Sequence, residues 1–297
     1  MSNKPLFSVI IPTFNCADRL AKALESVANQ TFKDFEVVIC DSSSDHTKQV
    51  VDHYAKKFKI KYVWEASFDS PAGPRNSALK LAEGDYVAFL DSDDWWFPEK
   101  LELIKQKLYG KDIIYHDLDI YIGDKKKRFK KIKGRHLKKP VFVDLMRNEN
   151  PLFTSSVVVK KSIIDKAGGF TTENTLEDFD LWLKISRMTD NFTYIPKNLG
   201  VYTFQKGSRS FATQKMITMI NAVYDKYLGF LDIKNREEAE KIKNYLLARN
   251  KQKMGLLEEA LELFKKSWKS RNLKFRSRSI CWIAILSTIL IIKKLKL

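Results

Sequence analysis

At 297 residues, 44% hydrophobic and 12% aromatic, the chain can bury a sizeable core as one large domain or a medium one with an appendage, which excludes general disorder. Its cysteines, Cys16, Cys40 and Cys281, lack the paired spacing of a zinc site or disulfide framework, and the N-terminus shows no export signal, so a reducing cytoplasm is expected. The formal net charge of +17 sits mostly in the tail, where residues 205–297 carry 21 Lys+Arg against 8 Asp+Glu while residues 1–204 carry 32 against 28; such a field suits a polyanion, either nucleic acid or an anionic lipid surface.

The apolar run FSVIIP (7–12) predicts a buried strand, and LAKALESVANQ (20–30) a helix with Leu20, Leu24 and Val27 on one face. FEVVIC (35–40), TKQVVDHYAKKF (47–58), KYVW (61–64), a helix near PRNSALKLAEG (74–84) and DYVAFL (85–90) continue the alternation. Parallel strands need crossovers, and helical crossovers predict an α/β fold with a doubly wound, mostly parallel sheet covered on both faces. Beyond residue 110, DIIYHDLDIYIG (112–123), VFVDLM (141–146) and SSVVVKK (155–161) read as strands, and LEDFDLWLKISRM (176–188) as a helix. The segments 112–150 and 190–215 are expected to include variable loops, and the chain reads as helical from Gln214 onward. Within that region GLLEEALELFKKSWK (255–269) resembles one arm of a helical hairpin.

Ligands of such sheets bind beyond the carboxyl ends of the strands, where PTFN, DSSSD and DSDD lie. Asp91, Asp93 and Asp94 concentrate negative charge in this basic chain. Two carboxylates about 4 Å apart repel by roughly 4 kcal/mol at an effective dielectric near 20, and a divalent metal holding a diphosphate removes that conflict. The plainer reading is a polar turn capping a helix that starts near Pro98. Asp41 stands at a strand mouth, suited to a nucleobase or ribose, whereas Asp45 suits a turn or N-cap. Arg75 and Asn76 open a helix, where an anion is favoured; a solvated surface arginine is the other reading.

In order, SVIIPTFN (8–15), QTFKDFEVVICDSSSD (30–45), PRNSALKLAEGDYVAFLDSDDWWFPEKL (74–101) and AGGFTTENTLEDFDLWLKI (167–185) resemble the family 2 glycosyltransferases, over roughly residues 5–205. The resemblance implies a GT-A fold, Rossmann-like, and an inverting transfer from a nucleotide sugar, most often a UDP-sugar. It implies that Pro12, Thr13, Asn15 and Asp41 hold the nucleotide, that Arg75 and Asn76 lie near base or diphosphate, that Asp91, before Ser92, approaches the ribose or the metal, and that Asp93 is the main ligand of Mn²⁺ or Mg²⁺. Asp94 serves the sugar or a helix cap, and Cys40 and Ser42 depart from the acid and glycine common at those places. Asp178, beside Glu177, is the implied catalytic base, with helix-start acids as the plainer reading. A first-turn position favours its ionised form, and burial opposes this.

The expected organisation is a catalytic domain over 1–205 and a basic helical region over 206–297. KKKRFKKIKGRHLKK (125–139), with ten Lys+Arg and no acid, reads as a solvated loop or as a contact for a bilayer or a lipid-linked pyrophosphate. In the segment 275–297, the apolar Ile280 to Ile292 between basic flanks is shorter than the about 20 residues of a spanning helix. An interfacial helix is the expectation, with burial against the catalytic domain as the other reading. The resemblance implies a hexosyl- or N-acetylhexosaminyltransferase of bacterial surface polysaccharide assembly, and the basic stretch and tail place it peripherally on the inner face of the cytoplasmic membrane. Its acceptor is then a lipid-linked glycan of O-antigen, lipooligosaccharide or capsule. A basic nucleic-acid-binding protein and a sugar nucleotidyltransferase are the competing readings.

Overall fold

The structure, a computed structural model, describes residues 4–66, 70–122, 125–173, 175–204 and 213–295, with the backbone alone for 125–130. Every residue of β1 (Phe7–Thr13) and β2 (Phe35–Asp41) is buried, which is why both read as unbroken apolar runs rather than alternating ones. With β3 (Ile60–Trp64) and β4 (Tyr86–Phe89) they form a parallel set ordered β3-β2-β1-β4. The crossovers are α1 (Ala17–Ala28), α2 (Thr47–Tyr54) and α3 (Ala72–Leu81). Leu20, Leu24 and Val27 of α1 join the core over Val9, Ile11, Val37 and Ile39. Each such side chain contributes about 1.5–3 kcal/mol by leaving water.

Beyond β4 the sheet becomes mixed. Among the described residues it has nine strands in the order β3-β2-β1-β4-β8-β6-β9-β5, with β7 also paired to β6. The added strands are β5 (Trp95–Trp96), β6 (Ile113–Ile122), β7 (Lys125–Ile132), β8 (Val158–Lys160) and β9 (Phe192–Phe204). Helices α4 (Lys100–Lys105), α6 (Lys161–Ala167) and α7 (Glu177–Ser186) complete this part.

Three expectations are corrected. VFVDLM is a helix, α5 (Val141–Met146), that buries Val141, Phe142, Leu145 and Met146; a short apolar run does not separate strand from helix, and here the spacing fits one helical face. The basic stretch is not wholly a loop, because Lys125–Ile132 pairs antiparallel with β6. The segment 190–215 contains the long strand β9, parallel to β6. Pro196 hides it in the sequence, yet the register steps from His116↔Ile195 to Asp117↔Asn198, so Pro196 lies where the ladder is interrupted and its missing N–H is tolerated. Residues 205–212 of that segment lie outside the described residues.

The chain divides into two compact units. One comprises Met1–Leu137, Pro151–Thr172 and Glu177–Gln205, and carries the sheet. The other comprises Lys138–Asn150, Glu173–Leu176 and Lys206–Leu297. It holds α5 and the helices α8 (Gln214–Leu228), α9 (Ile233–Lys253), α10 (Leu257–Ser267) and α11 (Leu273–Leu295). A core of Ile242, Tyr245, Ala248, Ala260, Phe264, Phe275 and Leu286 joins α9, α10 and α11. The helix α11 runs for 23 residues because it also takes in the polar stretch before Ile280, so it is long and apolar enough to cross a membrane by length and composition.

Candidate active site

The ends of β1, β2 and β4 emerge on one edge of the sheet because those strands are parallel, with Thr13 opposite Asp41 and Ile10 opposite Phe89. Their loops are stitched together. The Asn15 amide donates to Ser43 Oγ at 2.7 Å, and Asn15 Oδ1 accepts the Ser44 N–H at 2.9 Å. This requires φ +45° at Asn15, a left-handed conformation that asparagine tolerates better than most residues. Thr13 Oγ1 lies 3.0 Å from Cys16 Sγ, which donates to Ser92 Oγ at 3.0 Å and so ties the first loop to the aspartate loop. Pro12 and Thr13 are buried. Asp41 is 1% exposed, its Oδ1 accepting the Ser43 N–H at 2.8 Å and its Oδ2 the Tyr62 hydroxyl at 2.7 Å. Asp45 behaves as a turn residue, accepting from the Thr47 and Ala17 amides.

In the aspartate loop the three carboxylates have different surroundings. Asp91 Oδ1 accepts from Arg75 Nη2 at 2.6 Å. Burial, followed by the charge of Asp91, pushes the Asp93 carboxyl up to about 6 against the pull of Arg19 and Arg75. Asp94 is 1% exposed and turned inward, where its Oδ1 accepts the Thr203 N–H of β9 at 2.7 Å. Burial and the two neighbouring aspartates drive its pKa well above the carboxylate range. It caps no helix: α4 starts at Lys100, with Glu99 before it.

Opposite this loop stands the start of α7. Arg75, 4% exposed, reaches across with Nη1 3.4 Å from Glu177 Oε1, so one guanidinium joins the aspartate loop to the Glu177–Asp178 pair. Burial opposes its charge, but Asp91, Glu177 and Asp178 together hold its pKa above the ordinary value. Arg75 is therefore no solvated surface arginine. The Asp178 carboxyl is pushed up to about 6, chiefly by burial and then by Glu177, with Arg75 opposing; burial outweighs the helix-start effect. Its Oδ1 accepts the Phe179 N–H at 2.6 Å, and Thr154 Oγ1 donates to Oδ2 at 3.4 Å. Asn76 makes a two-bond bridge to the Phe170 backbone, at 2.8 Å in each direction, which engages its amide within the fold.

Asp91 and Asp93 are the carboxylates of this loop that a divalent cation would use, with one Asp91 oxygen already bonded to Arg75. Among the described residues no group of three His, Cys, Asp or Glu forms a closed cage, but Mg²⁺ or Mn²⁺ bound with a diphosphate needs only one or two carboxylates. Burial and then the charge of Asp91 raise the Asp93 carboxyl, and a cation beside the two would offset the second of these. Sequence reasoning missed Thr154 and Ser155, whose hydroxyls touch Asp178 and the Asp91 amide, and the ring of Phe14, 60% exposed beside the first loop. Small hydroxyl residues in TSS and one aromatic in PTFN carry no signal of their own.

A family model described as Glycosyl transferase family 2 matches residues 8–169. The chain is similar to GalNAc(5)-diNAcBac-PP-undecaprenol beta-1,3-glucosyltransferase of Campylobacter jejuni, 32% identical over 244 residues, covering 77% of this chain and 73% of that protein. It is also similar to UDP-Glc:alpha-D-GlcNAc-diphosphoundecaprenol beta-1,3-glucosyltransferase WfaP of Escherichia coli, 42% identical over 97 residues, which is 32% of this chain and 38% of that one. Among solved structures, Staphylococcus aureus TarS 1–349 in complex with UDP-GlcNAc superposes with a TM-score of 0.61 at 20% identity, covering 94% of this chain and 88% of that one. A mannosyltransferase from Pyrobaculum calidifontis in complex with GDP-Man and Mn²⁺ gives 0.60 at 17% identity, covering 96% of this chain and 86% of that one. At these identities the structural likeness speaks for the fold.

Proposed function

Because the chain belongs to glycosyl transferase family 2 and is a glycosyltransferase of GT-A fold, we propose that it moves a hexosyl or N-acetylhexosaminyl group from a UDP-sugar, with inversion, to a hydroxyl of a polyprenyl-diphosphate-linked glycan in surface polysaccharide synthesis. The competing readings, a nucleic-acid-binding protein and a nucleotidyltransferase, give way to that membership. The observation that carries the proposal is Arg75, whose two terminal nitrogens join Asp91 to Glu177 and so set a donor-side loop against a base-side helix start.

In this reading Pro12, Thr13, Asn15 and Asp41 shape the nucleotide end, and the exposed face of Phe14 offers apolar surface to the base. Asp93 and Asp91 would hold Mn²⁺ or Mg²⁺, and the ion's contribution when bound would be to offset charge on the departing diphosphate. Asp178 takes the proton from the acceptor hydroxyl as its oxygen attacks the anomeric carbon. Glu177 and Arg75 orient Asp178 and Asp91, while Asn76 and Asp94 hold α3 and β9 in place rather than touching the sugar.

The setting we infer is the inner face of the cytoplasmic membrane. The two undecaprenol-linked acceptors named for the relatives support a lipid-linked substrate. Phe275, Ser279 and Leu286 of α11 are buried, which leaves Ile280, Ile285, Ile289, Ile291 and Ile292 exposed above Lys293 and Lys294. A helix with one stripe packed into its own unit and another apolar stripe bare suits an interfacial seat better than a crossing.

The test is thermal stabilisation by UDP, UDP-Glc and UDP-GlcNAc with and without Mn²⁺, followed by transfer to a synthetic polyprenyl-diphosphate N-acetylhexosamine. Metal-dependent stabilisation by a UDP-sugar and transfer with inversion are expected. Stabilisation by none of these nucleotides, or a product that retains the anomeric configuration, rejects the reading.

A further inference from the structure

The aspartate loop and the start of α7, which Arg75 links through Asp91 and Glu177, are joined by a second route that runs from Asp91 to Asp178. Residues Thr154–Ser156 form one 3-10 turn, buried throughout. Ser155 Oγ accepts the Asp91 N–H at 3.0 Å, and the preceding residue, Thr154, donates its hydroxyl to Asp178 Oδ2 at 3.4 Å. Adjacent Cα atoms are about 3.8 Å apart, so a single peptide bond spans the two sides of the candidate site.

The turn is itself held firmly. The Ser155 carbonyl accepts from Trp96 Nε1 and from Lys100 Nζ, both at 2.9 Å. Ser156 Oγ donates to the Phe153 carbonyl at 2.7 Å, and the Val157 N–H donates to the Thr154 carbonyl at 3.0 Å. Trp96 is 2% exposed and Lys100 fully buried, so neither has solvent into which to withdraw. Burial pushes Lys100 well below the ordinary lysine pKa, and its Nζ lies against the Trp96 ring while donating to that carbonyl, so both donors hold the turn from inside the core.

We propose that Thr154 and Ser155 are positioning residues, which fix the base-side carboxylate Asp178 and the donor-side loop at Asp91 in one rigid spacing. This rests on the functional reading above, in which those two residues serve opposite ends of the transfer. Arg75 supplies an ion-paired link between the two sides, and the turn supplies a second one made of two hydroxyl hydrogen bonds on adjacent residues. Positional error of about 1 Å between reacting groups costs about a hundredfold in rate, which is the scale such a ruler protects against.

The division of labour gives each residue a separate signature. Thr154 touches the base and Ser155 the donor loop, so Thr154→Val lowers kcat and leaves KM, whereas Ser155→Ala raises KM for the donor more than it lowers kcat. Each change is expected to be roughly tenfold, the scale of one hydrogen bond to a charged or reacting group. Thr154→Ser keeps the hydroxyl and restores kcat.

The experiment uses the full chain with Mn²⁺, UDP-Glc and UDP-GlcNAc as donors, water as acceptor and released UDP as the readout. UDP affinity and thermal midpoint are measured alongside. If both variants move the same parameter by the same factor, or neither moves any, the turn is only structural and the inference is overturned. Should Ser155→Ala fail to fold, the Val and Ser variants of Thr154 decide: loss of kcat with valine and recovery with serine upholds the inference, and equal behaviour refutes it. A wild-type chain that neither binds UDP with Mn²⁺ nor releases it refutes the donor reading and the inference together. An active wild type with an indifferent turn refutes the inference alone.

Discussion

A carboxylate removes a proton only while it is itself ionised. Asp178, raised to about 6 by burial and Glu177, is therefore expected to impose an acid limb on kcat: turnover rises with pH through about 6 and levels off above it. Donor-saturated rates across that range test this, and a flat profile removes Asp178 as the base. Asp178→Asn should abolish the limb with nearly all turnover while UDP affinity stays close to wild type; unchanged kcat in that variant has the same consequence. Arg75 makes a different demand, because lysine is a point donor and cannot span Asp91 and Glu177 together. Arg75→Lys should lower kcat by roughly a hundredfold and also lower the thermal midpoint, since a carboxylate is left without its partner. Wild-type values for both would show the bridge to be dispensable.

At the scale of elements, the junction of α3 and β4 is pressed against β1. A Cβ on Gly84 would stand 2.5 Å from the Ser8 amide nitrogen and 2.7 Å from the Phe7 carbonyl carbon, both backbone atoms. Gly84→Ala is accordingly expected to cost about 1–3 kcal/mol, read as a lowered denaturation midpoint with unchanged slope. The same junction binds Glu36, fully buried on β2, which accepts from Ser8 Oγ at 2.8 Å and the Glu83 N–H at 2.7 Å and lies 3.0 Å from Lys61 Nζ. Burial alone would raise its pKa, but these partners together hold it below the ordinary glutamate value. A depressed folded-state pKa means that Glu36 stabilises the fold above the unfolded glutamate value and loses that contribution as pH falls through the lower folded one. Glu36→Gln should flatten the acid side of the stability profile. The parallel strands and their helices were legible because burial on both faces leaves unbroken apolar runs, whereas β9 was not, since Pro196 counts against a strand until the interrupted ladder around it is seen.

For the whole molecule, the basic charge and the bare isoleucines of α11 lie in the helical unit, away in sequence from the site residues. Replacing Ile285, Ile289 and Ile292 with glutamine leaves the packed stripe of Phe275 and Leu286 intact, so the fold should hold. Sedimentation with vesicles rich in anionic lipid should drop at least tenfold, and the remaining binding should be salt-sensitive because the lysines still attract the surface. Undiminished sedimentation of the triple variant would assign membrane contact elsewhere. The sequence by itself determined the α/β alternation, the loops that gather at one sheet edge and the family, since these follow from local periodicity and from side chains set at short fixed spacings. Tertiary structure alone decided which distant partners the polar groups of the site take. Asp94 is occupied by an amide 109 positions away and Asn76 by the Phe170 backbone, and hydrogen bonds between distant segments leave no local pattern in the chain.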